Sequence, residues 1–411
     1  MQGTDYLAVF CKCCVLIAVV FWFTVNNLKA PSNIKQFRAH SSLHDRNISL
    51  HIRNTVSTSN SISSTKRLKE FKMNYEKEPS NRNFSAEMRN RKSGTRYLIA
   101  WYQPPDFGNF KESTVRLQNC QYNNCALTTN KSLLSQSDVL LFYHSTMPRI
   151  PPNRTKYDQK WCFVTYESPY NVNRLYNASE WKNKFDWTMT YRQDSDVFSP
   201  YSVVKARKGI SRNNYSDIFK EKTNDIVWVV SHCDTVSKRE RYVNEMQKII
   251  NIDILGGCGK SRCSGSYLNC RRRLSKRYKF YLSFENSLCT DYLTEKVFHV
   301  YGESVNMVPI VRGAPNHKQY LPNGTYISTS DFKSPIELAN YLKNLSFSEE
   351  RYLSYLKEKD RYLSLYDYIP INEFGLCNLC KNLNQNVTKS FRKMDLETWI
   401  WKDQCHIPTD L

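Results

Sequence analysis

The sequence predicts an α/β fold in which two mostly parallel, doubly wound layers follow a long polar segment. Two observations carry this reading. Short apolar runs recur from residue 97 onward, separated by stretches long enough to form helices. A second and clearer alternation of apolar runs with helix-spaced positions begins at Ile226. A chain of 411 residues has room for two such units, since a domain takes roughly 100–200 residues.

In the first set the strands are 97–102, 138–143, 160–166 and 187–191, rich in Val, Leu, Phe, Tyr and Trp. The second set opens with the strand 226–231. Tyr242, Met246 and Ile249/Ile250 then recur at i, i+4 and i+7/8, a helical period. A strand at 252–255 and a cysteine-rich loop follow. Phe280 to Phe284 is a strand, and Asp291 to Phe298 reads as the first turns of a helix carrying Leu293, Val297 and Tyr301 on one face. Strands at 307–311 and 326–328 come next. Ser334-Pro335-Ile336-Glu337 supplies an N-cap, a proline at N1 and a glutamate at N3, so a helix starts there. No internal repeat appears.

The formal charge of +21 invites a nucleic-acid reading, but its placement argues against one. Residues 26–96 hold 15 Lys/Arg against 5 Asp/Glu, about half of the excess. That segment is rich in Ser, Asn, Lys and Arg, has few aromatics, and reads as a stalk too polar to offset the entropy of ordering. No DNA- or RNA-binding motif accompanies it, so no nucleic-acid partner is expected. Before it, Leu7 to Val25 is apolar apart from Lys12. At 19 residues it is near the length that spans a bilayer. No small-x-small cleavage site follows Val25, which favours an uncleaved anchor over a signal peptide.

Cys11, Cys13 and Cys14 lie at this anchor, and eleven cysteines follow it. Nine Asn-x-Ser/Thr sequons begin at Asn47, Asn83, Asn130, Asn153, Asn177, Asn214, Asn323, Asn344 and Asn386. Together they indicate a secretory, disulfide-permitting compartment, and an odd number of cysteines leaves at least one thiol unpaired within the chain. Cys377 and Cys380 form the one C-x-x-C; a zinc site would need a second pair, and a redox motif a surrounding βαβ unit. Asp194-Ser195-Asp196 is a D-x-D, a pattern that can hold Mg or Mn. It lies far from the junction described next and is expected to be structural, so no obligatory metal is expected.

The strand-to-helix junction after Phe284 carries more polar chemistry than a connection requires: Glu285, Asn286, Asp291, Tyr292, Glu295 and Lys296. In open α/β sheets ligands bind beyond the carboxyl ends of strands. Lys296 suits a phosphate as a point charge, and Glu295 suits sugar or ribose hydroxyls. No glycine-rich cradle is present, so the grip on a diphosphate would come from side chains.

FYLSFENSLCTDYLTEK (280–296) resembles the donor-binding signature of the α1,3/α1,4-fucosyltransferases. The likeness is collinear through WCFVTYESP (161–169), TYRQDSDVFSPY (190–201), WVVSHCDTVSKRERYV (228–243), MVPIVRGAP (307–315), DFKSPIELANYL (331–342) and Cys377-Asn378-Leu379-Cys380. It covers about Tyr97 to Trp401 and includes an anchor-and-stalk layout.

That resemblance implies a GT-B fold, two Rossmann-like domains facing a cleft. On it, residues 1–6 are a cytoplasmic tail, 7–25 a transmembrane signal-anchor and 26–95 a stalk. Residues 96–210 are an acceptor-side domain, 211–370 a GDP-fucose-binding domain, and 371–411 a tail packing back on the first domain. The implied donor set is Arg239, Asn286, Tyr292, Glu295 and Lys296, and the implied general base is Glu167. His232 and Gln193 depart from the family's usual Asn and second Arg. Cys377 and Cys380 are implied to pair with Cys120 and Cys125, while pairing among Cys258, Cys263 and Cys270 stays open. The expected activity is inverting transfer of fucose from GDP-fucose to the 3-hydroxyl of a GlcNAc-containing glycan. The expected setting is the Golgi membrane in type II orientation, with at most non-essential stimulation by Mn or Mg. A GT-B transferase using another nucleotide sugar and a catalytically silent glycan-binding protein are the alternatives.

Overall fold

The computed structural model describes residues 97–106, 114–117, 120–209, 213–366, 371–387 and 395–411. The expected tail (1–6), anchor (7–25) and stalk (26–95) lie outside the described residues. Among the described residues, no helix is long and apolar enough to cross a membrane.

The first sheet has seven strands: β1 (Tyr97–Gln103), β2 (Thr114–Arg116), β3 (Cys125–Thr128), β4 (Val139–Tyr143), β5 (Lys160–Thr165), β6 (Trp187–Thr190) and β7 (Val197–Phe198). Their order is β2-β3-β1-β4-β5-β6-β7, parallel except for the antiparallel β2–β3 pair. Every residue of β4 is buried, as in a parallel sheet covered on both faces. Ile99, Leu141 and Val164 point to one core, and Ala100, Phe142 and Phe163 to the opposite one, with Trp181 and Phe185. The expected strands are β1, β4, β5 and β6. β2, β3 and β7 have two to four residues each, too short to show a period.

After β8 (Val204–Ala206) come α1 (Tyr215–Lys220), β9 (Asn224–Val229), α2 (Arg239–Met246), β10 (Ile252–Leu255), α3 (Tyr267–Arg277) and β11 (Tyr278–Phe284). Then follow α4 (Glu295–Phe298), β12 (Val308–Arg312), β13 (Ile327–Ser328), α5 (Pro335–Ser346), α6 (Glu349–Lys359) and β14 (Tyr362–Ser364). The second sheet is parallel throughout, in the order β10-β9-β11-β12-β13. The N-terminus of α5 is built from its own sequence. Ser334 Oγ accepts from Glu337 N at 3.2 Å, and Glu337 Oε2 accepts from Lys333 N at 2.8 Å.

The chain closes with α7 (Ile371–Asn384) and α8 (Leu396–Trp401). Disulfides Cys120–Cys377 and Cys125–Cys380 fasten α7 to the first sheet, the partners the resemblance implies. The last residues go elsewhere. Cys405 bonds Cys289 beside β11, and Asp410 pairs with Arg312 at the end of β12. Cys263 pairs with Cys270, and Cys258 pairs with Cys233. Cys162, buried in β5, is the one free thiol among the described cysteines.

The junction after β11 differs from its expected form, because the helix starts at Glu295 and not at Asp291. Asp291 sits at φ 63°. Its carboxylate accepts from Asn316 Nδ2 at 2.6 Å, Tyr320 Oη at 2.5 Å and Gln193 N at 3.0 Å. These long-range bonds hold a left-handed turn where local apolar spacing suggested helix. Thr294 supplies the N-cap, its side chain accepting from Lys296 N.

Candidate active site

Two sheet ends meet here. Glu167 follows β5 at the carboxyl edge of the first sheet, with its backbone N–H donating to Thr165 Oγ1 at 3.1 Å. Tyr292, from the junction after β11, is 1% exposed and packs between Tyr191 (5.0 Å between ring centroids) and Tyr201 (6.4 Å). Its hydroxyl points at Glu167 Oε2 from 3.5 Å. One residue further on, Ser168 Oγ and Ser287 Oγ are 2.7 Å apart, a second tie between the two edges.

Burial pushes the Glu167 carboxyl above its ordinary pKa, opposed by the Lys296 ammonium, a side-chain bond with Asn171 and the charge of His232. A half-buried carboxylate raised in this way is a better proton acceptor than a solvated one. Burial, Glu167 and Glu285 together push the Tyr292 hydroxyl well above its usual range, so it stays a neutral donor.

On the edge of the second sheet, Lys296 Nζ lies 3.2 Å from Glu285 Oε2, 3.0 Å from Glu295 Oε1 and 2.8 Å from Thr294 Oγ1. Burial alone would lower its pKa, but the Glu285 and Glu295 carboxylates more than offset that and keep it protonated. Burial acts to raise Glu295, yet Lys296 draws it below its ordinary value. Glu285 is 0% exposed and accepts from both Thr294 N (2.8 Å) and Thr294 Oγ1 (2.9 Å). Gly313, directly after β12, makes room for it. A Cβ there would stand 2.7 Å from Glu285 Cγ.

Arg239 is the first residue of α2 and is almost fully buried, its Nη1 donating to Phe284 O at 2.6 Å and its Nη2 to His232 O at 3.1 Å. Burial lowers its pKa, while Glu285 and Tyr292 act to raise it. Its Nε, and Asn286 Oδ1, are buried without a hydrogen-bond partner. Buried polar groups are normally paired, so these two atoms are open to a partner that the chain itself does not supply.

Arg239, Asn286, Tyr292, Glu295 and Lys296 thus lie around the end of β11, with Glu167 facing them from the first sheet. Of the two departures, His232 is exposed and offers its carbonyl to Arg239. Gln193 bonds Asp291 through its backbone and Tyr320 through its side chain. The D-x-D carboxylates are spoken for. Asp194 holds Arg192 (2.5 Å) and Trp399 Nε1 (3.0 Å), and Asp196 accepts from Thr188 N (2.9 Å) and Oγ1 (3.0 Å). Glu285 and Asp291 were marked in the sequence only as excess polar chemistry at the junction, and Thr294 and Gly313 carried no role; for Gly313 the local signal was a glycine directly after a strand end.

The family described as "Fucosyltransferase, N-terminal" matches residues 93–202, and "Glycosyltransferase family 10 (fucosyltransferase) C-term" matches residues 219–399. A Drosophila melanogaster protein named glycoprotein 3-alpha-L-fucosyltransferase A is 34% identical over 296 residues, covering 69% of this chain and 55% of that protein's length. The Mus musculus protein 4-galactosyl-N-acetylglucosaminide 3-alpha-L-fucosyltransferase 9 is 31% identical over 318 residues, covering 74% of this chain and 82% of the relative. A crystal structure of an alpha1,3-fucosyltransferase with GDP-fucose aligns with TM-score 0.47 and 17% identity over 72% of this chain and 92% of its own. With both halves matched, the chain belongs to glycosyltransferase family 10, the fucosyltransferases.

Proposed function

We propose that the chain moves L-fucose from GDP-β-L-fucose to the 3-hydroxyl of GlcNAc in a protein- or lipid-borne glycan, with inversion, within a GT-B architecture. The observation that carries this reading is the meeting of Glu167 with Tyr292 across the two sheet edges. It sets a raised carboxylate on one wall against a protonated lysine and a buried arginine on the other. The relatives' names support the linkage.

In this mechanism Glu167 takes the proton from the acceptor 3-hydroxyl as that oxygen bonds to fucose C1. The bond from C1 to the β-phosphate oxygen breaks, and GDP leaves with the electron pair. Lys296 and Arg239 stabilise the charge growing on the diphosphate, the effect that usually contributes most. Tyr292 orients Glu167, Glu295 serves a sugar or ribose hydroxyl, and Asn286 supplies a neutral contact. The transition state is oxocarbenium-like, with a single carboxylate acting on the acceptor. Because Asp194 and Asp196 are engaged by the protein, we assign no metal to them and propose that no divalent cation is obligatory. We also propose an uncleaved anchor at residues 7–25, a Golgi membrane setting and a lumenal catalytic portion, supported by the apolar run and the sequons.

The test is transfer by the full chain in detergent, with GDP-fucose and GlcNAc-containing acceptors, with and without EDTA. Transfer should persist in chelator and fall roughly 10²–10⁴-fold in Glu167→Gln. Absence of transfer from GDP-fucose to every acceptor would refute the activity, and a complete EDTA block would refute metal independence.

A further inference from the structure

The chain directly after Glu167 carries aromatic and polar surface that the mechanism above does not use. Two 3₁₀ turns, Pro169–Asn171 and Arg174–Asn177, are separated by the buried Val172. The first is tied to the base, because the Asn171 side chain bonds Glu167. Tyr170 therefore lies within about 11 Å of Glu167 along the chain. Among the described residues it is one of eight large hydrophobic side chains left exposed, at 39%.

Tyr170 does not project alone. Its ring meets Trp401, from α8, edge-on at 5.4 Å between centroids and 88° between planes. Trp401 is fixed in turn, its Nε1 donating to Tyr176 Oη at 3.1 Å and the Arg174 guanidinium lying 4.3 Å over its ring. Arg174, against Trp401, is exposed, as are its sequence neighbours Asn171 and Asn173. An exposed tyrosine ring braced by an aromatic neighbour, with a guanidinium beside it, suits a pyranose ring. Such a ring offers an apolar C–H face to the aromatic and hydroxyls to the amides and guanidinium. A core role would have buried Tyr170.

We propose that Tyr170, Arg174 and Trp401 form a carbohydrate subsite that holds the acceptor-glycan residue adjoining the sugar that receives fucose. This rests on the fucosyl-transfer reading for its position beside the base, but its binding can be measured without the reaction. The subsite gives an extended glycan an advantage over a single GlcNAc, and Tyr170 carries most of that advantage.

Two measurements on the full chain test it. The probes are the β-methyl glycoside of GlcNAc, the same sugar extended with β1,4-galactose or N-acetylgalactosamine, and a chitobiosyl peptide. Calorimetric titration without GDP-fucose should show the best-bound extended glycan losing roughly tenfold in affinity in Tyr170→Ala and keeping it in Tyr170→Phe. Unchanged binding in Tyr170→Ala overturns the subsite, whether or not the protein transfers fucose. In transfer assays, kcat/KM should fall about tenfold for that glycan, while the methyl glycoside and the KM for GDP-fucose stay within about twofold. An equal fall for all acceptors overturns it as well.

Discussion

Lys296 Nζ and Glu285 Oε2 are 3.2 Å apart, with the carboxylate fully buried and the lysine side chain 22% exposed. The pair is one-sided: Glu285 is the fixed, buried member and Lys296 the partly exposed one. Thr294 gives Glu285 two hydrogen bonds, and Glu285 N donates to Arg312 O at 2.8 Å. Glu285 therefore positions Lys296, and on the proposed function it acts on the donor through that lysine.

Replacing Glu285 by Gln keeps the shape and one acceptor for Thr294 but turns an amide toward the ammonium. The lost charge-assisted bond corresponds to roughly a 10–100-fold rise in the KM for GDP-fucose. Acceptor KM should change less, because no hydrogen bond to Glu167 is altered. Steady-state kinetics with each substrate varied separately will show the split. A loss confined to the acceptor would contradict the assignment.

Gly313→Ala should act on the same residue from behind. A Cβ 2.7 Å from Glu285 Cγ and 3.2 Å from its Cβ has no flexible tip to displace, because those atoms are pinned at both ends. Overpacking of this kind costs about 1–3 kcal/mol. Thermal unfolding should register that loss, together with weaker GDP-fucose binding. Wild-type stability in the variant would mean that the strand end yields more easily than its bonds suggest.

How much of this was legible in the sequence follows from the range of each interaction. The N-terminus of α5 was readable because Ser334, Pro335 and Glu337 act within one turn. The clustering of polar residues after β11 was readable because Asn286 to Lys296 are nearly contiguous. The helix start at Glu295 was not, since the left-handed turn at Asp291 is held by Gln193, Asn316 and Tyr320. Nor was the Cys289–Cys405 bond, whose partners are 116 residues apart. The facing of Glu167 and Tyr292 was implied only by resemblance, because nothing local links β5 to the turn after β11.

Acid should loosen the loop that follows the base. His144 is buried, and its Nδ1 accepts from Asn173 N at 3.0 Å; burial lowers its pKa to about 4. The folded value lies below the ordinary 6.5, so the unfolded chain binds the extra proton first as pH falls. The stabilisation is complete above about 6.5 and is lost between there and about 4, up to roughly 3 kcal/mol. His299, also buried and lowered to about 4, adds to the same slope. His144→Asn retains an acceptor for Asn173 without a titrating ring. Its melting temperature should therefore fall less than wild type between pH 7.5 and pH 5. Parallel curves would refute the role of His144.

The C-terminal residues close over the second sheet through one ion pair. Arg312, whose side chain is 2% exposed, is gripped by both carboxylate oxygens of Asp410, lies 4.3 Å over Tyr242, and otherwise meets Ser237 O at 3.4 Å. Removing the carboxylate leaves a buried guanidinium with little compensation, a situation that costs about 3–5 kcal/mol when the charge cannot escape. Asp410 is 28% exposed, which places the cost at the low end of that range. Asp410→Asn should lower the melting temperature by several degrees, whereas Arg312→Met leaves only a surface carboxylate. The double variant should be less damaged than the sum of the two, because the orphaned charge is gone. Thermal unfolding of the four proteins measures that coupling. Additivity within about 0.5 kcal/mol would show that the Arg312–Asp410 pair adds no coupling beyond the Cys289–Cys405 bond and the backbone bridge around it.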